Sequence, residues 1–365
     1  MLHPAAGGKT GSFDALTGDQ PFELVGRYLP TNAITLASIT RVVPPAVNNL
    51  DDVDAMVAGT KTHEKTTAQV ATLDLRWFAN ETDQDVEIAR DRLNQILLDA
   101  LPSGVDLSFK ASIDQLHDGS DGVSVVLHDG SQHHFDLVVG ADGLHSNVRK
   151  LVFGPEQNFV RHFGYYVALV NLPSHQAWAR GMLNIPGLTV VVRDAGDGPQ
   201  AMLLAASPQI DYDHRDLDAQ RELIAGFLSR VQAWQIPAIA QAFTDPAAQG
   251  FYFDSVSQTH MPSWTLGNVA VIGDAGHCAA LLSGMGTTLA MVAAETLATT
   301  WTEHGGQLTK ASTAYHERLR PYVDQCQAFA HEGAPIMVPA TQEALDARNA
   351  MFREFAQKFA TPSAM

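Results

Sequence analysis

The stretch from Leu266 to Ala298, LGNVAVIGDAGHCAALLSGMGTTLAMVAAETLA, constrains the fold of this chain more than any other. Its apolar run, Val269 to Ile272, lies between glycines, which is typical of a buried strand in a parallel sheet. Gly273 and Asp274 follow, then a glycine-rich turn and an apolar segment, Thr287 to Trp301, at helical spacing. A carboxylate at the end of a strand and a glycine loop before a helix favour an anion-binding site. An ordinary strand-to-helix junction fits the same pattern equally well, because glycine loops are common.

A second junction of the same layout lies earlier in the chain, in FDLVVGADGLHSNVRKLVFGP. An apolar strand predicted from Phe135 to Val139 leads to Asp142 and Gly143, and a short helix should start near His145 or Ser146. One such junction is unremarkable on its own. Two with the same layout predict two walls of one cofactor site.

Composition limits the class of protein. The chain has 365 residues, of which 45% are hydrophobic and 17% charged, so it can form two ordinary domains or one large one. Its net charge of −17 argues against a general nucleic-acid binder, which needs a basic face. Two cysteines cannot form a disulfide framework, and residues 1–30 lack the pattern of a signal peptide. With no apolar run of membrane-spanning length, we expect a cytoplasmic protein with a small-molecule partner and no membrane or nucleic-acid partner.

The segment DVEIARDRLNQILLDAL, which begins at Asp85, predicts an amphipathic helix. Arg90 lies near its start, where the helix dipole favours anions rather than cations. A solvated arginine is one interpretation, and an arginine directed at a bound phosphate or flavin is the other.

Short strands are predicted on both sides of the first junction. Before it, an Asp129-Gly130 turn between apolar runs indicates a hairpin. After it, a mostly antiparallel sheet with two helices is predicted as an inserted domain, and the chain becomes helical again after Thr309. The strands are predicted at Ala33–Val43, Val105–Phe109, Ala111–Leu116, Gly122–Leu127, Tyr165–Leu172, Leu188–Arg193 and Ala201–Ala205, and the helices at Leu217–Leu228, Pro237–Phe243 and Thr341–Phe359.

These two junction sequences resemble the class A flavoprotein monooxygenases of the para-hydroxybenzoate hydroxylase fold. The first is similar to their DG motif and the second to their GD motif, and the resemblance runs roughly from Asp85 to Tyr322. It implies an α/β fold in which an FAD/NAD(P)-binding three-layer domain carries an inserted, mostly antiparallel substrate domain and C-terminal helices. The implied division is an atypical region over 1–84, the FAD-binding domain over 85–160 and 250–305, the inserted domain over 161–249 and a helical segment over 306–365.

The resemblance also implies site residues and a reaction. Asp274 would bind the FAD ribitol, the loop from Gly284 would face the pyrophosphate and isoalloxazine, and Asp142 would lie near the flavin. NAD(P)H would reduce the FAD, and a flavin hydroperoxide formed with O₂ would hydroxylate a small organic substrate, with aromatic compounds among the candidates. We interpret His277 and Cys278 first as residues with a structural or packing role. The residues implied for cofactor binding are Arg90, Asp142, Gly143, Arg149, Gly273, Asp274, Gly284, Met285, Gly286, Thr287 and Thr288.

The chain departs from the family pattern at two places. Residues 1–84 contain no G-x-G-x-x-G after a strand, so the βαβ unit that would bind the ADP half of FAD is missing, degenerate or truncated. Ala279 and Leu281 stand where relatives usually carry prolines, which predicts a less rigid loop. A non-catalytic relative that keeps the fold as a binding or interaction protein is therefore the alternative to an enzyme.

Overall fold

The computed structural model describes residues 55–60, 67–73, 90–102, 104–194 and 198–360. These residues belong to two compact units. The first unit contains the described residues within 90–161 and 257–330, and the second contains those within 55–73, 162–256 and 331–360.

The strands come mostly in runs, and the three longest helices of the described residues are the last three. The strands are β1 Ala55–Thr60, β2 Thr67–Leu73, β3 Ile113–Gly119, β4 Gly122–Leu127, β5 Gln132–Phe135, β6 Val138–Gly140, β7 Val160–Asn171, β8 Gly181–Ile185, β9 Leu188–Asp194, β10 Pro199–Ala206, β11 Tyr252–Thr259, β12 Thr265–Leu266 and β13 Val269–Val271. The helices are α1 Arg90–Asp99, α2 Asn147–Val152, α3 Leu217–Leu228, α4 Ile236–Thr244, α5 Asp274–His277, α6 Gly286–Glu303, α7 Leu308–Met337 and α8 Gln342–Ala360.

In the first unit, the two predicted junction strands are neighbours in one sheet. This sheet has the order β12-β13-β6, and β6 and β13 run parallel, with Val271 opposite Gly140. All three residues of each of these two strands are buried, as their unbroken apolar sequences predict. Gly140 is required by close packing, because a Cβ atom there would lie 2.6 Å from the Cβ of Val148 on α2.

A separate antiparallel sheet of the first unit has the order β3-β4-β5. The Asp129-Gly130 turn joins β4 to β5, which confirms the predicted hairpin, and Gly130 has the positive φ of 82° that this turn requires. The strand predicted over Val105–Phe109 is wrong: this segment pairs with no strand among the described residues, and Phe109 is 59% exposed. The single strand predicted over Phe135–Val139 is also wrong, because β5 ends at Phe135 in this sheet and β6 begins at Val138 in the parallel sheet.

The second unit is built on a seven-stranded sheet of order β11-β7-β10-β9-β8-β1-β2. The pairings β7–β10, β10–β9, β9–β8 and β1–β2 are antiparallel and β1–β8 is parallel, so the prediction of a mostly antiparallel sheet is confirmed. The predicted strands correspond to β7, β9 and β10, and the predicted helices to α3 and α4. The sequence pattern did not predict β1 and β2, and the strand predicted over Ala33–Val43 lies outside the described residues.

The C-terminal part is helical, as predicted. Helix α7 runs from Leu308 to Met337 and α8 from Gln342 to Ala360. Within the part of the chain that the structure describes, no helix combines the length and apolar character that crossing a membrane requires.

Candidate functional site

The two strand–glycine–aspartate junctions lie side by side at one edge of the parallel sheet. The backbone N–H of Ile272, just after β13, donates a 2.9 Å hydrogen bond to the carbonyl of Gly140 at the end of β6. Because β6 and β13 are parallel, Asp142 and Asp274 both follow the carboxyl ends of their strands at this edge. Open α/β sheets bind ligands at this position.

At the first junction, Asp142 organises the start of α2. Its carboxylate accepts a hydrogen bond from the Ser146 hydroxyl at 2.5 Å and another from the backbone N–H of Val148 at 3.0 Å. The Ser146 oxygen in turn accepts from the backbone N–H of Arg149 at 2.9 Å and caps the helix. The predicted helix start near Ser146 is therefore confirmed, and Gly143 supplies the positive φ of 79° in the turn between.

Arg149 is fully buried and connects the two junctions. Its Nη1 donates to the carbonyl of Ala275 in α5 at 2.9 Å, and its Nη2 donates to the carbonyl of Leu144 at 2.6 Å. Nη2 also pairs with Glu156 at 3.1 Å, and the same carboxylate contacts the His145 ring. Burial lowers the pKa of Arg149, and the nearby carboxylates partly oppose that shift. Both terminal nitrogens of the guanidinium thus bond to protein oxygens and hold one junction against the other, while the buried Nε has no partner among the described residues.

At the second junction, the chain turns sharply between β13 and α5. Gly273 has φ 61° and ψ −143°, a conformation that is unfavourable for residues with a Cβ atom. Asp274 is half-buried as the first residue of α5, and its carbonyl accepts a 2.8 Å hydrogen bond from the Thr259 hydroxyl. Further on, Ala280 has φ 69° and ψ 151°, so this non-glycine residue has a strained backbone in the predicted cofactor loop.

The loop after this junction ends at the N-terminus of α6. Gly284 is left-handed with φ 65°, and Met285 occupies the N-cap without a side-chain capping bond. The N–H groups of Gly286, Thr287 and Thr288 are the first three of the helix and have no carbonyl acceptor within it. The Thr287 side chain is buried, and its Oγ1 has no hydrogen-bond partner within the described part of the chain.

His277, at the end of α5, is fully buried and has no partner for either ring nitrogen among the described residues. Burial lowers its pKa to about 3, so the ring is neutral at ordinary pH. Cys278 is also buried, and its thiol donates to the carbonyl of Ser257. Neither side chain has the exposure of a general base or a reactive thiol, which agrees with their predicted structural roles.

The structure brings the two predicted junctions together, and a Cβ atom at Gly273 would lie 3.6 Å from Ala290 in the helix that follows the glycine loop. For Arg90 it describes the backbone, at the first residue of α1. Sequence reasoning missed Glu156, the partner of Arg149 and His145, and Thr259, which binds the Asp274 carbonyl. Both contacts are set by folding rather than by a local motif, so no pattern near either residue indicated them.

These features fit the phosphate-bearing flavin cofactor that the motifs imply. An uncapped helix N-terminus with glycines in the preceding loop binds anionic groups, and no acidic residue lies in the first turn of α6 to oppose one. The unpartnered Thr287 hydroxyl provides a further polar group at the same helix end.

Comparison with known proteins identifies relatives that include a flavin-dependent monooxygenase. No family model matches the chain. The chain is 33% identical over 265 residues to an uncharacterised protein of Mycobacterium tuberculosis, covering 71% of this chain and 70% of that one. It is 32% identical over 256 residues to a flavin-dependent monooxygenase of Legionella longbeachae, covering 69% and 65%.

Solved structures share the fold. Tetracycline destructase Tet(55) is 26% identical, with a TM-score of 0.66 over 91% of this chain and 86% of its own. HpxO of Klebsiella pneumoniae, solved with FAD and uric acid, is 17% identical with a TM-score of 0.57 over 96% of each chain. The chain therefore belongs to the class A, FAD-dependent flavoprotein monooxygenases. It spans about two thirds of the length of the flavin-dependent monooxygenase that it matches. The alternative of a non-catalytic relative is not favoured by these similarities.

Proposed function

We propose that the protein hydroxylates a small organic substrate with NAD(P)H and O₂, using FAD bound at the two junctions. The observation that carries this proposal is the parallel pairing of β6 with β13, beside the uncapped start of α6. The net reaction consumes the substrate, NAD(P)H, a proton and O₂, and yields the hydroxylated substrate, NAD(P)⁺ and water. Bound FAD supplies the redox chemistry, since it takes a hydride equivalent from the nicotinamide and passes electrons to O₂.

The residues of this chain would bind and orient the cofactor. The first-turn N–H groups of α6, from Gly286 to Thr288, would bind the pyrophosphate. The buried Thr287 hydroxyl would add a hydrogen bond after rotation of its side chain. The Asp274 carboxylate at the start of α5 would accept hydrogen bonds from the ribitol hydroxyls. Gly273 and Gly284 would let the backbone approach the cofactor closely, because a side chain at either would oppose their positive φ.

We propose that Asp142 and Arg149 act as positioning residues. The Asp142 carboxylate accepts from the Ser146 hydroxyl and the Val148 N–H, and the Arg149 guanidinium donates to protein oxygens. We propose that Gly143 contributes to cofactor binding as part of the DG motif, and that Arg90 is directed at a phosphate or the flavin. No nucleophile of the protein is required, which is consistent with the inaccessible His277 and Cys278.

For the substrate we propose ring-containing compounds, including aromatic and polyketide-like ones. The support is similarity to Tet(55), which is named for its action on tetracycline. We also propose a cytoplasmic location, which the two buried free thiols, Cys278 and Cys326, support.

The test is a turnover assay on the FAD-loaded protein with NADH or NADPH and a panel of phenolic and polycyclic compounds. We expect one or more compounds to stimulate NAD(P)H oxidation and O₂ consumption, with a product heavier by one oxygen atom. FAD-loaded protein that oxidises neither nicotinamide, with or without any compound, would contradict the proposed reaction.

A further inference from the structure

Three buried polar side chains of the first unit pack together without hydrogen bonds, with Trp264 in contact with each of the other two. His277 of α5 and Trp264, just before β12, lie with ring centroids 5.3 Å apart, and Tyr315 of α7 lies 5.9 Å from Trp264. Their exposed fractions are 0%, 1% and 0%. Both nitrogens of His277, the Nε1 of Trp264 and the hydroxyl of Tyr315 have no partner among the described residues.

Such a cluster is unusual, because most buried polar atoms in proteins are hydrogen-bonded to protein or to ordered water. Leaving one donor or acceptor unpaired in an apolar interior costs free energy, and this cluster contains four such atoms. The two nitrogens of His277 point away from each other, so a single partner can bond only one of them. One partner shared by that nitrogen, the Trp264 Nε1 and the Tyr315 hydroxyl would satisfy three of the four atoms.

The chemistry of the cluster defines that partner. Trp264 offers a donor, the neutral His277 ring offers one donor and one acceptor, and the Tyr315 hydroxyl offers both. No side chain of the cluster carries a charge at neutral pH, since burial lowers the pKa of His277 and raises that of Tyr315. An ion is thus unsuited to the site, whereas a water molecule has two donors and two acceptors that match this mixed set.

The centroid separations of 5.3 and 5.9 Å place the rings within reach of one bridging water. In each pair the rings meet edge to face, and no direct hydrogen bond joins them. A bridging molecule that makes two bonds of about 2.8 Å spans polar atoms roughly 5 Å apart. The Arg320 guanidinium lies over the Trp264 ring, 4.0 Å from its centroid, and the His316 ring stacks on Trp264.

We propose that His277, Trp264 and Tyr315 form an internal hydration site whose water molecule holds α5 against α7. The hydration site adjoins the second junction, because His277 is the last residue of the helix that begins at Asp274. Trp264 also bonds to β13, since its carbonyl accepts a 2.8 Å hydrogen bond from the Val271 N–H. The water bridge joins elements that are distant in sequence and supports the turn at Gly273 and Asp274. Binding of water here is independent of the proposed function, because it needs no FAD.

A pair of tyrosine variants in the full-length apoprotein tests the site. Tyr315→Phe removes the unpartnered hydroxyl, and Tyr166→Phe is the matched control, since the Tyr166 side chain is equally buried and its oxygen accepts a 2.7 Å bond from the Ile210 N–H. We expect both variants to lower Tm by about 2 °C, as loss of a satisfied buried hydroxyl does. An unchanged or higher Tm for Tyr315→Phe would overturn the proposal, because removing an unsatisfied hydroxyl does not destabilise a protein.

A second measurement on the unaltered protein observes the water directly. In ¹⁵N-tryptophan-labelled protein, the indole N–H of Trp264, assigned by its loss in Trp264→Phe, should show a rotating-frame Overhauser cross-peak to water. The sign of this cross-peak distinguishes a bound water from proton exchange. Absence of the cross-peak, or one with the sign of exchange alone, would overturn the proposal even if the variants destabilise the protein.

Discussion

Arg149 donates a 2.9 Å hydrogen bond to the carbonyl of Ala275, although the two residues are 126 positions apart in the chain. This bond joins the DG junction to the GD junction beneath the proposed cofactor site. The buried guanidinium therefore adds to the β6–β13 pairing in setting the spacing of the two walls.

Replacing Arg149 should destabilise the protein and weaken cofactor binding together. Arg149→Met keeps much of the volume but leaves the carbonyls of Leu144 and Ala275 unpaired, so we expect a loss of about 2–4 kcal/mol in the free energy of unfolding. FAD affinity should fall at least roughly tenfold, equal to about 1.4 kcal/mol. Denaturant unfolding and FAD titration measure the two effects. The control is Arg161→Met at an exposed arginine; equal effects for both variants would contradict the role of Arg149.

Asp142 should contribute to stability through the cap of α2. Asp142→Ala removes the acceptor for Ser146 and Val148, and loss of a capping side chain costs about 1–2 kcal/mol. Thermal unfolding in the absence of FAD detects this directly. Asp106→Ala, at an exposed aspartate, should leave Tm unchanged. If the two alanine variants have the same Tm, the carboxylate of Asp142 does not cap the helix.

The strained backbone of Ala280 predicts a stabilising substitution. Ala280→Gly should raise stability by about 1 kcal/mol, because relief of the positive φ exceeds the added entropy of glycine in the unfolded chain. The neighbouring Ala279 is equally buried but has no positive φ, so Ala279→Gly should lower stability by about 1 kcal/mol. Thermal unfolding of both variants measures these two changes in stability. A lower Tm for Ala280→Gly than for Ala279→Gly would show that residue 280 is unstrained.

The lowered pKa of His277 predicts that the free energy of unfolding decreases in acid. Its folded pKa of about 3 lies below the ordinary value of 6.5, so the unfolded chain takes up a proton that the folded chain does not. The linked stability is complete above pH 6.5 and decreases toward pH 3, with about 2 kcal/mol lost between pH 6.5 and pH 5. His277→Gln should remove this component, which unfolding curves at several pH values would show. Identical pH dependence in variant and original protein would mean that His277 is protonated equally in both states.

The sequence predicted the two junctions because their determinants are local. An unbroken apolar run, a glycine with positive φ and an aspartate at the strand end lie within a few residues of one another at both Asp142 and Asp274. The start of α2 at Ser146 was predictable for the same reason, since capping is a short-range interaction.

Contacts between distant segments could not be predicted in this way. The apolar pattern over Phe135–Val139 does not reveal that the chain leaves one sheet after Phe135 and enters another at Val138. Leu107 and Phe109 have the alternation of a strand, yet both are exposed and no described strand pairs with them. The parallel pairing of β1 with β8 likewise joins segments more than a hundred residues apart.

Binding of FAD to the N-terminus of α6 is the central claim, and an FAD titration of three proteins tests it most directly. Thr287→Val removes the unpartnered Oγ1, while Thr300→Val removes a hydroxyl of the same helix that is already bonded to the Thr296 carbonyl at 2.7 Å. We predict that the unaltered apoprotein quenches flavin fluorescence on binding and that Thr287→Val binds FAD about tenfold more weakly without loss of apoprotein stability. Thr300→Val should bind FAD normally but unfold more easily. Failure of the unaltered protein to bind FAD, or equal affinity in Thr287→Val, would contradict the account.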